Sequence, residues 1–172
     1  VHMLAVGVTS KLLAKAAGQP RQMLEEFFIA GLLHDVGEMV LMKYVTEPYH
    51  AVVERARAEG KSVCDVAVED MGITRSDVGA KVSEHWKLPD NLSQVISDQC
   101  AGKRDLYLAR VVRVADRYCR EQGFGYVCDQ SDLDITPQHL QEIQLKNSDF
   151  QQLKLTLPEE IEKAKVFLEK QG

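Results

Sequence analysis

Apolar residues recur at helical spacing along almost all of this chain, and helix start and stop signals punctuate them. No stretch alternates with period two for long enough to propose a strand. That pattern confines the chain to the all-α class. From Met3 to Ala17 the residues Ala5, Thr9, Leu12, Leu13 and Ala16 form a stripe that Ser10, Lys11 and Lys15 avoid, so an amphipathic helix is expected, stopped by Gly18 and Pro20. Arg21 to Lys43 carries Leu24, Phe27, Phe28, Leu32, Met39 and Leu41 around nearly its whole circumference, which predicts one long helix at the centre of a bundle. Thr46-Glu47-Pro48 with Gly60, and Ser62 with Gly72, bracket two short helices. Thr74-Arg75-Ser76-Asp77 has capping-box character and opens a helix toward Leu88-Pro89, where Pro89 opens another through about Cys100. A long helix from about Asp105 to Gln122 follows, then a loop through Gly123-Phe124-Gly125 and the acidic stretch Asp129 to Asp134. Thr136-Pro137 and Leu157-Pro158-Glu159-Glu160 each open a final helix.

A chain of 172 residues, 45% of them hydrophobic, is long enough for one sizeable core. The expected organisation is a helical core over residues 1–122, with a loop and helical extension over residues 123–172 packing on it. Lys+Arg 21 against Asp+Glu 26 leaves a net charge of −5, which argues against a nucleic-acid or anionic-membrane partner. The apolar stretches are broken by Glu, Lys or Asp well short of the roughly 20 residues of a membrane span. The four cysteines (Cys64, Cys100, Cys119, Cys128) form no C-x-x-C pair and no secretory leader is recognisable, so reduced thiols in a cytoplasm are expected. The chain opens on Val1 rather than Met, which reads as a truncated start.

One group of residues carries chemistry. With about 100° of rotation per helical residue, Leu24, Phe27, Gly31, His34, Asp35 and Glu38 share one face of the expected central helix. His34 and Asp35 can offer a nitrogen and an oxygen to one cation, with Glu38 a turn further on, in reach of a bound water. The same pair also reads as a buried histidine satisfied by its neighbouring carboxylate. His2 projects onto the stripe of Val6, Thr9 and Leu13, so a second helix delivers an imidazole toward the core, although a His-Met pair is also what a cloning tag leaves behind. Asp116 sits at the border of the apolar face of its helix, able to turn inward or to pair with Arg113 and Arg120. The row Arg110, Arg113, Arg117 and Arg120 reads as a solvated face. Trp86 is expected to anchor helix packing beside Leu88, and Cys100 to be a small buried hydrophobe. His50, His85 and His139 are expected to be isolated and solvated.

The stretch Phe28-Ile29-Ala30-Gly31-Leu32-Leu33-His34-Asp35-Val36-Gly37-Glu38 resembles the signature of HD-domain proteins, and most closely their bacterial HDOD subfamily. Asp77-Val78-Gly79-Ala80, Trp86-Lys87-Leu88-Pro89 and Ala115-Asp116 keep the order of that subfamily, so the resemblance covers most of residues 1–122. It implies a multi-helix HD-domain-like bundle. Many HD-domain proteins are metal-dependent phosphohydrolases, and their ligand set carries over onto His2, His34, Asp35 and Asp116. The intermediate histidine is Arg75 here, and the later His-His is Gln99-Cys100, so the positions associated with a second metal are lost. An arginine at the first of them is costly near a cation unless a phosphate or carboxylate lies between.

Three functions stay open on this basis. The resemblance favours a non-catalytic HDOD module of bacterial signal transduction with a partly degraded metal site, whose partners are other signalling proteins or an upstream domain. The alternative is a mononuclear phosphohydrolase with one divalent metal ion and Glu38 as proton shuttle, acting on a nucleotide or phosphoester. A third is a cyclic-dinucleotide or nucleic-acid binder using Arg75 and the arginine row, against which the acidic charge counts.

Overall fold

The structure, a computed structural model, describes residues 1–100, 106–125 and 134–170 and contains no strand among them. Helix α1 (His2–Ala16) leads through a 3-10 turn (Arg21–Met23) into α2 (Leu24–Leu33) and α3 (Val36–Tyr44). Then come α4 (Thr46–Glu59), α5 (Val63–Met71), α6 (Arg75–His85) and α7 (Asp90–Ser97). The chain ends in α8 (Tyr107–Glu121), α9 (Pro137–Glu142) and α10 (Asn147–Glu169). The expected loop at Asp129 to Asp134 and Cys128 lie almost wholly outside the described residues, as does Asp105.

Local chemistry sets most boundaries. Thr74 and Asp77 close a reciprocal capping box on α6, and the Ser62 hydroxyl accepts the Cys64 N–H at the start of α5. Thr136 caps α9 with Pro137 in its first turn, and His139 completes that cap by accepting the Thr136 N–H, so it is partly exposed but not isolated.

The main core joins α1, α2, α7, α8, α9 and α10, with Val6, Leu13, Phe27, Val111 and Tyr118 buried in it. The C-terminal residues Leu140, Ile143, Phe150, Leu157 and Ile161 belong to the same core. A smaller cluster, Val52, Ala56, Val66 and Ala67, holds α4 against α5.

Several expectations are corrected. Arg21 to Lys43 is not one helix: it is a 3-10 turn and two helices, with the break at His34 and Asp35, where Asp35 adopts φ −106 and ψ 24. Periodicity does not register a break of one or two residues, and this break lets α2 pack on α1 and α8 while α3 turns onto α6. Pro158 does not open a helix but lies inside α10. An internal proline costs about 3 kcal/mol, and the complete burial of Leu157 and Ile161 beside it offsets that. Trp86 is 50% exposed, because the chain turns at Lys87 (φ 53) and presents Leu88 to the core instead.

The thiol expectation also fails for one pair. Cys64 and Cys100 form a disulfide that ties the start of α5 to the segment after α7. Only the packing of those helices makes them neighbours, which no sequence spacing announces. Cys119 is free and buried.

Candidate metal centre

Two close helix crossings assemble the site. Where α1 meets α2, a Cβ on Gly31 would lie 2.7 Å from Val6 O and 2.8 Å from Gly7 Cα, so only glycine allows this approach. The contact sets His2, on the first turn of α1, beside His34 at the end of α2, with ring centroids 5.4 Å apart. Where α3 meets α6, a Cβ on Gly37 would collide with the Arg75 carbonyl oxygen and lie 2.7 Å from Gly79 N. That contact sets Glu38 beside Arg75. Helix α8 adds Asp116 and Arg120.

The backbone orients both imidazoles. His34 Nδ1 lies 2.7 Å from the Gly31 carbonyl, and His2 Nδ1 contacts the Phe124 carbonyl. A carbonyl only accepts, so Nδ1 donates in each ring, and in the neutral tautomer Nε2 is left with a bare lone pair. These two Nε2 atoms face the same carboxylates. His34 Nε2 is 3.6 Å from both Asp35 Oδ2 and Asp116 Oδ1, and His2 Nε2 is 2.9 Å from Asp116 Oδ1 and 4.0 Å from Asp35 Oδ2. Neither Nε2 makes an aligned hydrogen bond, and His34 is 1% exposed.

His2, His34, Asp35 and Asp116 are therefore brought together by four helix segments, and donor atoms of His2, His34 and Asp35 lie within 4.8 Å of one another. A buried, unpaired acceptor costs about 1–3 kcal/mol, and a cation between these atoms removes that cost. Two imidazole nitrogens and the Asp35 carboxylate suit one borderline or hard divalent ion, with Asp116, outside that close set, beside them at 2.9 Å from His2 Nε2. By donor chemistry and by these orphaned nitrogens, the residues fit such an ion.

Two arginines complete the centre. Arg75 Nη1 donates to Asp35 Oδ1 at 3.2 Å and to Glu38 Oε2 at 2.8 Å. Arg120 donates through Nη2 to Asp35 Oδ2 at 3.2 Å and through Nε to Asp116 Oδ1 at 2.8 Å. The carboxylates that the arginine at position 75 requires are thus Asp35 and Glu38. The arginine row is not a solvated face: Arg120 enters the site, and Arg113 pairs with Asp98 at 2.9 Å rather than with Asp116.

Charge and burial set the protonation of these groups. Burial pushes the Asp35 carboxyl upward, but Arg75, His34 and Arg120 outweigh it and hold it at about 2. Burial opposes ionisation of Asp116 as well, and His2, His34 and Arg120 keep it well below the usual range. Burial disfavours a proton on His34, whereas Asp35 and Asp116 favour it more strongly and raise its pKa. The same field that draws a proton to His34 draws a metal ion, so the two compete. Glu38 is raised, by burial and then by Asp35, against the opposing pull of Arg75.

The other flagged positions sit elsewhere. Gln99 donates to the Val95 carbonyl at 2.7 Å, and Cys100 is in the disulfide. Sequence reasoning missed the reach of Arg120 to Asp35 and the contacts of Phe124 and Gly125 with the His2 ring. The i,i+4 spacing of Asp116 and Arg120 was the one available signal for the former. A cavity of about 500 Å³ opens beside the centre, with Asp35, Glu38 and Arg120 at its polar end and Met39 and Met42 among its apolar residues.

The family model for the HDOD domain matches residues 1–101. An HDOD domain protein of unknown function from Geobacter sulfurreducens has a similar structure, with a TM-score of 0.74 and 22% sequence identity, over 95% of this chain and 60% of that one. A presumed phosphohydrolase from Shewanella amazonensis SB2B gives a TM-score of 0.69 at 22% identity, over 95% of this chain and 61% of that one. The chain spans about three fifths of the length of each, and at this identity the likeness is one of fold. A comparison with curated proteins finds no match.

Proposed function

Because the chain belongs to the HDOD family, we propose that it is a non-catalytic regulatory module of bacterial signal transduction, in which the His–Asp centre is a structural hub. One observation carries this reading: both oxygens of Asp35 are engaged by guanidinium groups, Oδ1 by Arg75 and Oδ2 by Arg120, with Arg75 also within 3.4 Å of Oδ2. A carboxylate held on both oxygens in this way fixes α2, α3, α6 and α8 to one another, and only its remaining lone pairs are open to a cation or a reacting water. A divalent ion held by His2, His34, Asp35 and Asp116 would add α1 to the same hub.

The partners under this reading are other signalling proteins or an upstream domain. Half-exposed Met39 and Met42 and the more exposed Tyr44 give α3 an apolar outer face of the kind that protein contacts use. Among the described residues no helix is long and apolar enough to cross a membrane.

A screen of phosphomonoesters, phosphodiesters and nucleotides with Mn²⁺, Mg²⁺ and Zn²⁺, run on the parent and on Asp35→Asn, tests the reading. Equal inactivity of both supports it, and metal-dependent turnover that Asp35→Asn abolishes overturns it.

A second reading, a mononuclear phosphohydrolase, is favoured by the place of Glu38 at the cavity, with its carboxyl raised by burial and Asp35. When bound, a divalent ion would polarise a phosphoryl oxygen and lower the pKa of a water. Glu38 would then carry the proton through its second oxygen, the one not held by Arg75. Loss of turnover in Glu38→Gln with unchanged metal content is the result specific to it. The engagement of Arg75, Arg113 and Arg120 with internal carboxylates leaves those three side chains a poor phosphate-binding surface.

A further inference from the structure

Asp35 divides two cation positions. Its Oδ2 faces the Nε2 atoms of His2 and His34 while accepting from Arg120 Nη2 at 3.2 Å and from Arg75 Nη1 at 3.4 Å, and its Oδ1 accepts from Arg75 Nη1 at 3.2 Å, which also reaches Glu38 Oε2 at 2.8 Å. A single nitrogen thus bridges two carboxylates, as a metal ion does. The guanidinium is permanently charged, so no change of pH within the folded range vacates this place. Its backbone is held as well, since the Arg75 carbonyl packs directly on Gly37, one residue from Glu38.

We infer that Arg75 is a resident cation occupying the position between Asp35 and Glu38, and that the centre consequently holds one divalent ion and not two. The inference rests on the reading of His2, His34, Asp35 and Asp116 as a cation-binding set. Charge points the same way. Asp35, Glu38 and Asp116 face Arg75 and Arg120, leaving one unit of negative charge among these five side chains. One divalent ion turns that to one unit positive, whereas a second would bring three units of positive charge into a partly buried place. Removing the guanidinium leaves two adjacent carboxylates without their cation, and a donor in its place completes a second site.

Titration of the full chain with Mn²⁺, read by bound-metal analysis and by electron paramagnetic resonance, tests this. Wild type should take one equivalent and show the spectrum of an isolated ion. Arg75→His should take two equivalents and show an exchange-coupled spectrum, because paired ions in such sites lie roughly 3.5–4 Å apart. Arg75→Lys, which keeps the charge, should stay at one. Two coupled equivalents in wild type would overturn the inference whether or not any variant folds. So would folded Arg75→His and Arg75→Gln that both keep the wild-type stoichiometry. Wild type taking no metal removes the underlying reading of the donor set, and the gain or lack of gain in Arg75→His then still decides whether Arg75 bars a cation.

Discussion

Arg120 Nη2 donates to Asp35 Oδ2 at 3.2 Å while Arg120 Nε donates to Asp116 at 2.8 Å, so one guanidinium ties the last turn of α8 to the break between α2 and α3. Without it, the buried carboxylate of Asp35 and the partly buried one of Asp116 would face each other across the imidazoles with one cation fewer between them.

Arg120→Met should therefore destabilise the fold by about 3 kcal/mol, the size of effect seen when one partner of a buried ion pair is removed. Arg120→Lys should recover only part of this, since an ammonium does not reach both carboxylates as a fork does. Urea unfolding monitored by circular dichroism measures both. A loss under about 1 kcal/mol in Arg120→Met would assign the pair no more weight than a surface one.

Gly31→Ala places a methyl against Val6 O, Gly7 Cα and Ser10 Oγ, all between 2.7 and 2.8 Å away. Two of those three are backbone, which does not yield easily. The substitution should cost about 1–3 kcal/mol and should weaken Mn²⁺ binding, because it moves His2 relative to His34. Thermal unfolding and metal titration on the same sample check this, and Ala at Gly60, with open space around it, is the control for metal binding.

The Cys64–Cys100 disulfide closes a loop of sequence separation 36. Chain-entropy reasoning for a loop of that size gives about 4 kcal/mol of stabilisation. Reductant should lower the urea midpoint of the parent and leave that of the double variant Cys64→Ser/Cys100→Ser unchanged. An identical midpoint for the parent with and without reductant would show that the bond does not form.

Cys119 is pushed up to about 12, chiefly by burial, with its sulfur 3.4 Å from the Thr9 hydroxyl. The thiolate is the reactive form, so Cys119 stays protonated and inert at pH 8 and reacts only as pH approaches about 12 or as the chain unfolds. In a Cys128→Ser background, iodoacetamide at pH 8 should leave Cys119 unmodified in native protein and modify it in urea, as peptide mass analysis would show. Rapid native labelling would contradict the packing of α1 on α8.

Much of the helical plan was legible because capping and periodicity are local. Ser62, Thr74 and Thr136 start helices for reasons contained in three or four residues, and Gly60 and Gly72 end them in the same way. The break at Asp35 and the passage of α10 through Pro158 were not legible, because packing partners distant in sequence stabilise both. In the centre, His34 and Asp35 could be picked out by type and helix face, whereas Asp116, at the border of its face, entered only through the family resemblance. The partners of Arg120 and the disulfide of Cys64 could not.

What the amino-acid order determined by itself is the helical class and most element starts. Dihedral preference, caps and the 3.6-residue period act within a turn or two. What only the tertiary structure decided is which charges meet. Whether Arg75 neutralises Asp35 or faces solvent depends on the crossing at Gly37 and Gly79, and whether His2 joins His34 depends on the crossing at Gly7 and Gly31. Ion pairing and metal affinity fall off over a few ångströms, so they are properties of where helices cross rather than of where residues fall along the chain.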